Sequence, residues 1–137
     1  MSFGENVTHY RHVAGLTQTQ LSERVGCSRS AIARWASGDS EPLFSTGCRA
    51  AAILHITPNR LDRGPSQLAR NLVSLRVSSG ATKEQICEEA GIMPVYLDAL
   101  ECDGILPRRM ADALIKTLAT YWGCTPAVLQ GEIDIVG

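Results

Sequence analysis

Apolar residues recur at intervals of three and four positions along most of the chain, and short turns with glycine or proline separate these stretches. Such spacing is typical of amphipathic helices and predicts an all-α fold. In the first half of the chain it predicts five helices, at about residues 6–14, 18–25, 29–36, 45–54 and from 58 onwards. Val7, Tyr10 and Ala14 form the apolar stripe of the first helix.

The second and third of these helices carry clear start and stop signals. Thr17 and Gln20 have the spacing of a capping box, in which each side chain bonds the backbone amide of the other residue. Gly26 suits a tight turn, Ser28 is a favourable N-cap, and Gly38 is placed to end the next helix. The pattern therefore predicts two short helices joined by a glycine turn.

This stretch returns once, 65 positions later. The residue pairs that are identical at that shift include Arg11 and Arg76, Gly15 and Gly80, Thr17 and Thr82, Gln20 and Gln85, Glu23 and Glu88, Gly26 and Gly91, and Pro42 and Pro107. The later pair Thr57-Pro58 and Thr125-Pro126 matches at a shift of 68, so three residues are added before it. We predict two tandem five-helix units, residues 1–63 and 64–137. A unit of about 60 residues buries only about 60% of the surface of its unfolded chain and is marginally stable alone, so we expect the units to pack together or to dimerise.

Composition favours a globular protein without a metal site. Hydrophobic residues make up 45% and charged residues 20% of the chain. No apolar run is long enough to cross a membrane, and the N-terminus lacks a signal-peptide pattern, so we expect a cytoplasmic protein with no membrane partner. The five cysteines are widely spaced and form no C-x-x-C pair. We therefore expect small buried thiols and no metal ligands, with redox sensing as the alternative.

Charge is unevenly distributed, although the net charge is only −1. Residues 1–64 hold seven basic and five acidic groups, a balance of +2, and the remainder holds six basic and nine acidic groups, a balance of −3. Clustered basic residues favour nucleic-acid binding, whereas carboxylates are repelled by phosphates. The first half is therefore the better candidate for binding DNA.

A set of residues in the first half has the types and spacing of a known motif: Leu16, Thr17, Gln18, Leu21, Gly26, Ser28, Ile32, Trp35, Gly38 and Pro42. With these residues the chain resembles the helix-turn-helix of the Cro and phage-repressor superfamily, also called the xenobiotic-response-element-type family. The resemblance covers about residues 5–62 of the first half. It implies lambda-repressor-like helical units and a DNA-binding transcriptional regulator of phage or mobile-element type.

The second helix of this motif carries the candidate base-reading residues. If Ile32 and Trp35 face the core, Arg29, Ser30 and Arg34 face outwards, and the resemblance places base contacts at these three positions. Arginine can form a bidentate bond to guanine, and serine can contact several bases or a phosphate. The candidate phosphate contacts are Thr17, Gln18, Ser28 and Ser37.

One position departs from the family pattern. Members often pair an arginine of the first helix with a glutamate before the closing glycine, but Arg11 aligns here with Ala36. In the second half Arg76 and Glu101 restore the pair. Arg11 is then left to bind a phosphate or an acidic loop residue, Asp39 or Glu41.

The matching helix of the second half, residues 93–101, has no basic side chain and two carboxylates, of which Asp98 would face the groove. Lys83, at the position of Gln18, is the only substitution there that favours DNA. We therefore expect this half to have changed its use, with Pro94, Val95 and Tyr96 as an exposed protein interface. The alternative is that these three residues pack against the first half.

These observations favour a sequence-specific transcriptional regulator that binds an inverted-repeat operator as a homodimer, with half-sites about one helical turn apart. It would act as a repressor by occluding a promoter, or by contacting RNA polymerase. RNA polymerase or another regulatory protein is the expected partner of the second half. Two alternatives stay open. One is an antirepressor or antitoxin-like protein that captures a partner, and the other is an internal pseudo-dimer in which both halves of one chain read DNA.

The chain shows no pattern of catalytic residues. The three histidines have no ligand-type neighbour at a local spacing, and no phosphate-binding glycine loop or hydrolase-type carboxylate pair is present. We therefore expect neither enzyme activity nor a cofactor. At the C-terminus the alternation of Ile133, Asp134 and Ile135 predicts either an edge strand or a frayed tail.

Overall fold

The computed structural model describes residues 3–131, and these residues contain ten α-helices and no strand. The predicted all-α fold is confirmed. Contacts divide the chain after Pro65 into two compact units, unit 1 and unit 2, each with five described helices. The alternating residues Ile133, Asp134 and Ile135 lie outside the described part of the chain.

Unit 1 consists of α1 (Phe3–Ala14), α2 (Gln18–Val25), α3 (Arg29–Ser37), α4 (Phe44–Ile53) and α5 (Pro58–Arg63). Both α1 and α2 pack on α3, while α4 packs on α2 and α5 packs on α1. The largest fully buried apolar side chains between them are Tyr10, Leu21, Ile32 and Leu61. Two neighbouring helices therefore hold the inner face of α3 against one core.

The first helix ends at Ala14 as predicted, but its start and one of its buried residues differ from the prediction. It begins at Phe3, three residues before Asn6. Gly4 allows this, because a Cβ at that position would lie 1.7 Å from the carbonyl oxygen of Trp35, so only glycine lets α1 come this close to α3. At the other end Ala14 is exposed and Val13 takes its predicted place in the core.

The predicted caps of α2 and α3 are confirmed. Thr17 Oγ1 accepts a hydrogen bond from the Gln20 amide at 3.1 Å, and Gln20 Oε1 accepts one from the Thr17 amide at 2.9 Å. Gly26 ends α2 with a φ of 86°, in the left-handed region that glycine adopts without strain. Ser28 Oγ accepts a hydrogen bond from the Ala31 amide at 3.1 Å. The orientation of α3 relative to α2 is therefore fixed by local bonds at the turn.

Unit 2 consists of α6 (Gln67–Ser79), α7 (Lys83–Ala90), α8 (Pro94–Glu101), α9 (Arg108–Trp122) and α10 (Pro126–Leu129). The predicted capping box between Thr82 and Gln85 is confirmed. Helix α9 has 15 residues and α4 has 10. Helix α9 begins directly after Pro107, whereas α4 begins two residues after Pro42, so the earlier start accounts for one of its five extra residues. The other four lie at its C-terminal end, which Trp122 reaches four residues beyond the position that matches Ile53.

An asparagine on the first helix of each unit holds the last helix of that unit. Asn6 Nδ2 donates a hydrogen bond to the Leu61 carbonyl oxygen at 2.8 Å, and Asn71 Nδ2 donates one to the Leu129 carbonyl oxygen at 2.9 Å. Carbonyls at the end of a short helix lack intrahelical donors, so each bond satisfies a group that burial would otherwise penalise. The two asparagines lie 65 positions apart and the two leucines 68 positions apart.

The cysteines are less buried than predicted. Only Cys87 is buried, and Cys27, Cys48, Cys102 and Cys124 are half-buried. The expectation of buried thiols is therefore wrong for four of the five. Three of these four lie at turns or helix ends, where the chain covers a side chain on fewer sides. Burial of the thiol raises the pKa of Cys102 to about 11.

Candidate nucleic-acid interface

One face of α3 is locked into the core and the other is open to solvent. Ile32 and Trp35 are only 1% and 4% exposed, which fixes the rotation of the helix. Arg29, Ser30 and Arg34 are consequently exposed, as predicted. Neither guanidinium has a carboxylate within ion-pair distance in the described part of the chain. Two exposed cationic groups are therefore presented to solvent by one rigid helix.

The start of α2 offers unpaired amide groups. The capping box uses the amides of Thr17 and Gln20, while those of Gln18 and Thr19 precede the first intrahelical bond and have no carbonyl four residues back within the helix. Gln18 is half-buried and Thr17 is exposed. The Thr17 hydroxyl accepts the capping bond, so its own proton is still available to donate. This helix start has the geometry and partial positive charge that bind a phosphate.

The two serines at the ends of α3 differ in what they can offer. Both are exposed. Ser28 Oγ accepts the capping bond from Ala31, which leaves its proton available. Ser37 Oγ donates to the Arg34 carbonyl oxygen at 3.1 Å, so it must rotate before it can donate to a phosphate. Ser28 is therefore the stronger of these two candidates for phosphate contact.

Comparison with known protein families matches part of unit 1. Residues 14–61 match the helix-turn-helix family model HTH_3. The match runs from the end of α1 into α5 and includes all of α2, the glycine turn and α3. It is a family of DNA-binding regulatory domains and not a family of enzymes, so it supports a DNA-binding regulator in general. No curated protein and no solved structure matches the chain.

Arg11, on the helix that precedes this helix-turn-helix, does not pair with an acidic loop residue. Its Nη1 donates to the Leu16 carbonyl oxygen at 2.9 Å, and its Nη2 lies 3.3 Å from His12 Nε2. The predicted alternative of an ion pair with Asp39 or Glu41 is wrong, because the guanidinium donates to the Leu16 carbonyl oxygen at the α1–α2 turn instead. Partial burial lowers the pKa of Arg11 from its ordinary value.

In unit 2 the predicted ion pair is present. Arg76 Nε and Nη2 donate to the two carboxylate oxygens of Glu101 at 3.0 and 2.9 Å, a bidentate arrangement. The two side chains are only 10% and 1% exposed. This pair joins α6 to α8 inside the unit, so the carboxylate of Glu101 is directed inwards.

A second ion pair in unit 2 was missed by sequence reasoning. Lys83 Nζ lies 2.6 Å from Asp98 Oδ1, so the start of α7 is joined to the middle of α8. The two residues are 15 positions apart, and only the packing of α7 against α8 brings them together. Lys83 was expected to favour DNA, but its ammonium group is committed to this carboxylate.

The start of α8 is apolar where the start of α3 is polar. Met93 and Val95 are each 59% exposed and stand 65 positions after Ser28 and Ser30. Pro94 is also exposed, as predicted, whereas Tyr96 is half-buried and packs against the core of unit 2. The expectation of an exposed Tyr96 is therefore corrected. Tyr96 packs against the core cluster that contains the buried Leu97. The exposed apolar surface at this helix start therefore includes Met93 in place of Tyr96.

Residues 3–131 contain neither a metal-type cluster nor a membrane-spanning helix. No group of three histidine, cysteine, aspartate or glutamate side chains is arranged to hold a metal ion there. Among the same residues, no helix combines the length and apolar character needed to cross a membrane.

Proposed function

We propose that the protein is a sequence-specific, double-stranded DNA-binding transcriptional regulator of phage or mobile-element type, acting as a repressor. The observation that carries this proposal is the pair of exposed, un-neutralised guanidinium groups of Arg29 and Arg34 on the open face of α3, inside the matched helix-turn-helix. A B-DNA major groove admits one α-helix, and the helix before it braces the complex across the phosphates.

In this proposal each element of the motif has a separate task. Arg29, Ser30 and Arg34 read base edges, and a guanine can receive two hydrogen bonds from either arginine. Thr17, Gln18 and Ser28, with Ser37 after rotation, hold phosphates and set the register of α3 in the groove. Two copies of the chain bind an inverted repeat, with one α3 in each half-site.

Measuring affinity for selected DNA fragments tests the proposal. A random DNA pool is selected with the full chain, and the recovered site is titrated with Arg29→Ala, Arg34→Ala and the double variant. Each single variant is expected to weaken the selected site by about 5- to 150-fold, the loss of one bidentate base contact. Arg109→Ala removes another exposed arginine, outside the motif, and should change affinity little.

The dependence of affinity on salt and on DNA sequence distinguishes base-specific recognition from non-specific electrostatic binding. Affinity should fall steeply with ionic strength, and the arginine variants should lose their preference for the selected site over random DNA. If the double variant keeps both the affinity and the preference, α3 does not read the groove. One chain per site in a mass measurement of the complex would favour the internal pseudo-dimer over the homodimer.

A second candidate function belongs to unit 2, in which α8 binds a protein. The exposed Met93 and Val95 stand at the positions that Ser28 and Ser30 occupy in unit 1. The Lys83–Asp98 bridge neutralises the Asp98 carboxylate on the same helix. Such an apolar helix start suits RNA polymerase or another regulatory protein, in an activating, antirepressor or antitoxin-like role. Val95→Ser should weaken retention on immobilised RNA polymerase and leave DNA affinity unchanged. If that variant weakens DNA binding instead, α8 acts on DNA.

A further inference from the structure

Arg49 of α4 lies against the turn that joins α2 to α3. A Cβ at Gly26, the first residue of that turn, would lie 4.0 Å from Arg49 Nη1, so the guanidinium is close to the backbone of the turn. Arg49 is exposed, and it is the only charged residue of α4, which packs on α2. We infer, on the basis of the proposed DNA-binding function, that Arg49 is a further phosphate-binding residue, contributed by a helix outside the helix-turn-helix.

Among the residues that the structure describes, no carboxylate neutralises this guanidinium. Helix α4 contains no acidic residue that could pair with Arg49 at a spacing of three or four positions. Glu23 of α2 is the acidic residue nearest to the turn in the sequence, and it forms no ion pair with Arg49. The charge of Arg49 is therefore available to an anion that comes from outside the chain.

The charge of Arg49 also acts on the residue after Gly26. Burial of the thiol raises the pKa of Cys27, and the positive charge of Arg49 opposes that rise. Cys27 directly precedes Ser28, the N-cap of α3, whose hydroxyl proton is available to a phosphate. Neighbouring Cα atoms lie about 3.8 Å apart, so Gly26 and Ser28 are close enough for one phosphate to contact both the Ser28 hydroxyl and the Arg49 guanidinium.

A phosphate contact from α4 differs in its effect from a base contact from α3. Phosphate contacts set the register of a protein on DNA but carry no sequence information. Loss of Arg49 should therefore weaken binding to a selected site and to an unrelated duplex by the same factor, whereas loss of Arg29 or Arg34 should weaken the selected site more. Each phosphate that a cation neutralises releases counterions, so the salt dependence of binding should also become shallower.

Titrations of DNA with the full chain at several salt concentrations test the inference. For Arg49→Ala the slope of log K against log salt should be shallower than that of the wild type by about 0.9, the contribution of one phosphate. The advantage of the wild type over this variant should shrink by about threefold between about 50 and 200 mM salt. Arg49→Lys keeps the cation and should keep most of the slope. Arg63→Ala removes an exposed arginine of α5 in the same unit and should leave the slope unchanged.

Alkylation of Cys27 in the free protein, followed by peptide mass, gives a second readout that needs no DNA. Arg49→Ala should raise the pKa of Cys27 further and slow its alkylation near neutral pH, because the thiolate is the reactive form. Fluorescence of the buried Trp35 checks that each variant is folded.

An unchanged salt slope in Arg49→Ala would overturn the inference, as would a loss confined to the selected site, an equal change of slope in Arg63→Ala, or an unchanged alkylation rate of Cys27. A wild type that binds no selected duplex refutes the proposed function and this inference with it. A wild type that binds, but whose slope Arg49→Ala leaves intact, refutes only this inference.

Discussion

Replacing Glu101 by alanine should destabilise unit 2 far more than an ordinary surface substitution. The change leaves the Arg76 guanidinium buried without the carboxylate that now receives two of its hydrogen bonds. Breaking a buried ion pair from one side costs about 3 to 5 kcal/mol. Unit 2 spans 72 residues, from 66 to 137, for which a total stability of about 4 to 11 kcal/mol is typical. The substitution should therefore remove between a quarter and all of that stability.

The chain contains a separate reporter for each unit. Of its two tryptophans, Trp35 lies in unit 1 and Trp122 lies in unit 2. The indole N–H signals of both can be followed by NMR through one urea titration. The Trp122 transition of Glu101→Ala should move to a lower urea concentration, and the Trp35 transition serves as the internal reference.

A double substitution separates the ion pair from simple loss of volume. Arg76→Leu together with Glu101→Leu removes both charges, and it should cost less than Glu101→Ala because no buried charge is left alone. The reasoning fails if Glu101→Ala costs less than about 1 kcal/mol, which is the range of an exposed ion pair. It also fails if the double variant is the less stable of the two.

Three further results are expected. Ala36→Glu should place a carboxylate opposite Arg11 and raise the unfolding free energy of unit 1 by about 1 kcal/mol; a lower value in urea denaturation would contradict this. Asn6→Ala leaves the Leu61 carbonyl without its donor and should cost about 1 to 3 kcal/mol, measured in the same way. Folding raises the pKa of Cys102 from 9.0 to about 11. Stability should therefore fall as pH rises through this window, less steeply in Cys102→Ala, and equal slopes would refute the assignment.

Local features of the fold were predictable because their causes are local. A capping box needs only Thr17 and Gln20 three positions apart, and a glycine at position 26 is enough to end α2. The exposure of Arg29 and Arg34 followed in the same way, since Ile32 and Trp35 fix the rotation of one short helix. Sequence spacing therefore located the candidate DNA-reading face.

Features that depend on packing between helices could not be read from spacing. The Lys83–Asp98 bridge requires α7 and α8 to meet at one angle, and the bond from Asn6 to Leu61 spans 55 positions. Gly4 is also explained only by the closeness of α1 to α3. The Arg76–Glu101 pair, in contrast, was found because a family pattern already contained that long-range contact.

The charged residues of α8 in unit 2 and of α3 in unit 1 differ in whether they have ionic partners within the fold. In unit 2 Glu101 lies inside a bidentate pair and Asp98 is bridged by Lys83, so both carboxylates of α8 are neutralised within the fold. In unit 1 the guanidinium groups of Arg29 and Arg34 have no such partner among the described residues.

An un-neutralised cation on a rigid surface strengthens long-range attraction to phosphate, whereas an internal ion pair cancels it at short distance. Removing Lys83 should therefore make unit 2 more repulsive to DNA, because it frees Asp98 without creating a cation. Adding a basic residue at Asp98 would have to overcome the loss of that bridge first. The two units thus differ in which of their charged groups are neutralised by internal ion pairs, and net charge alone does not show this difference.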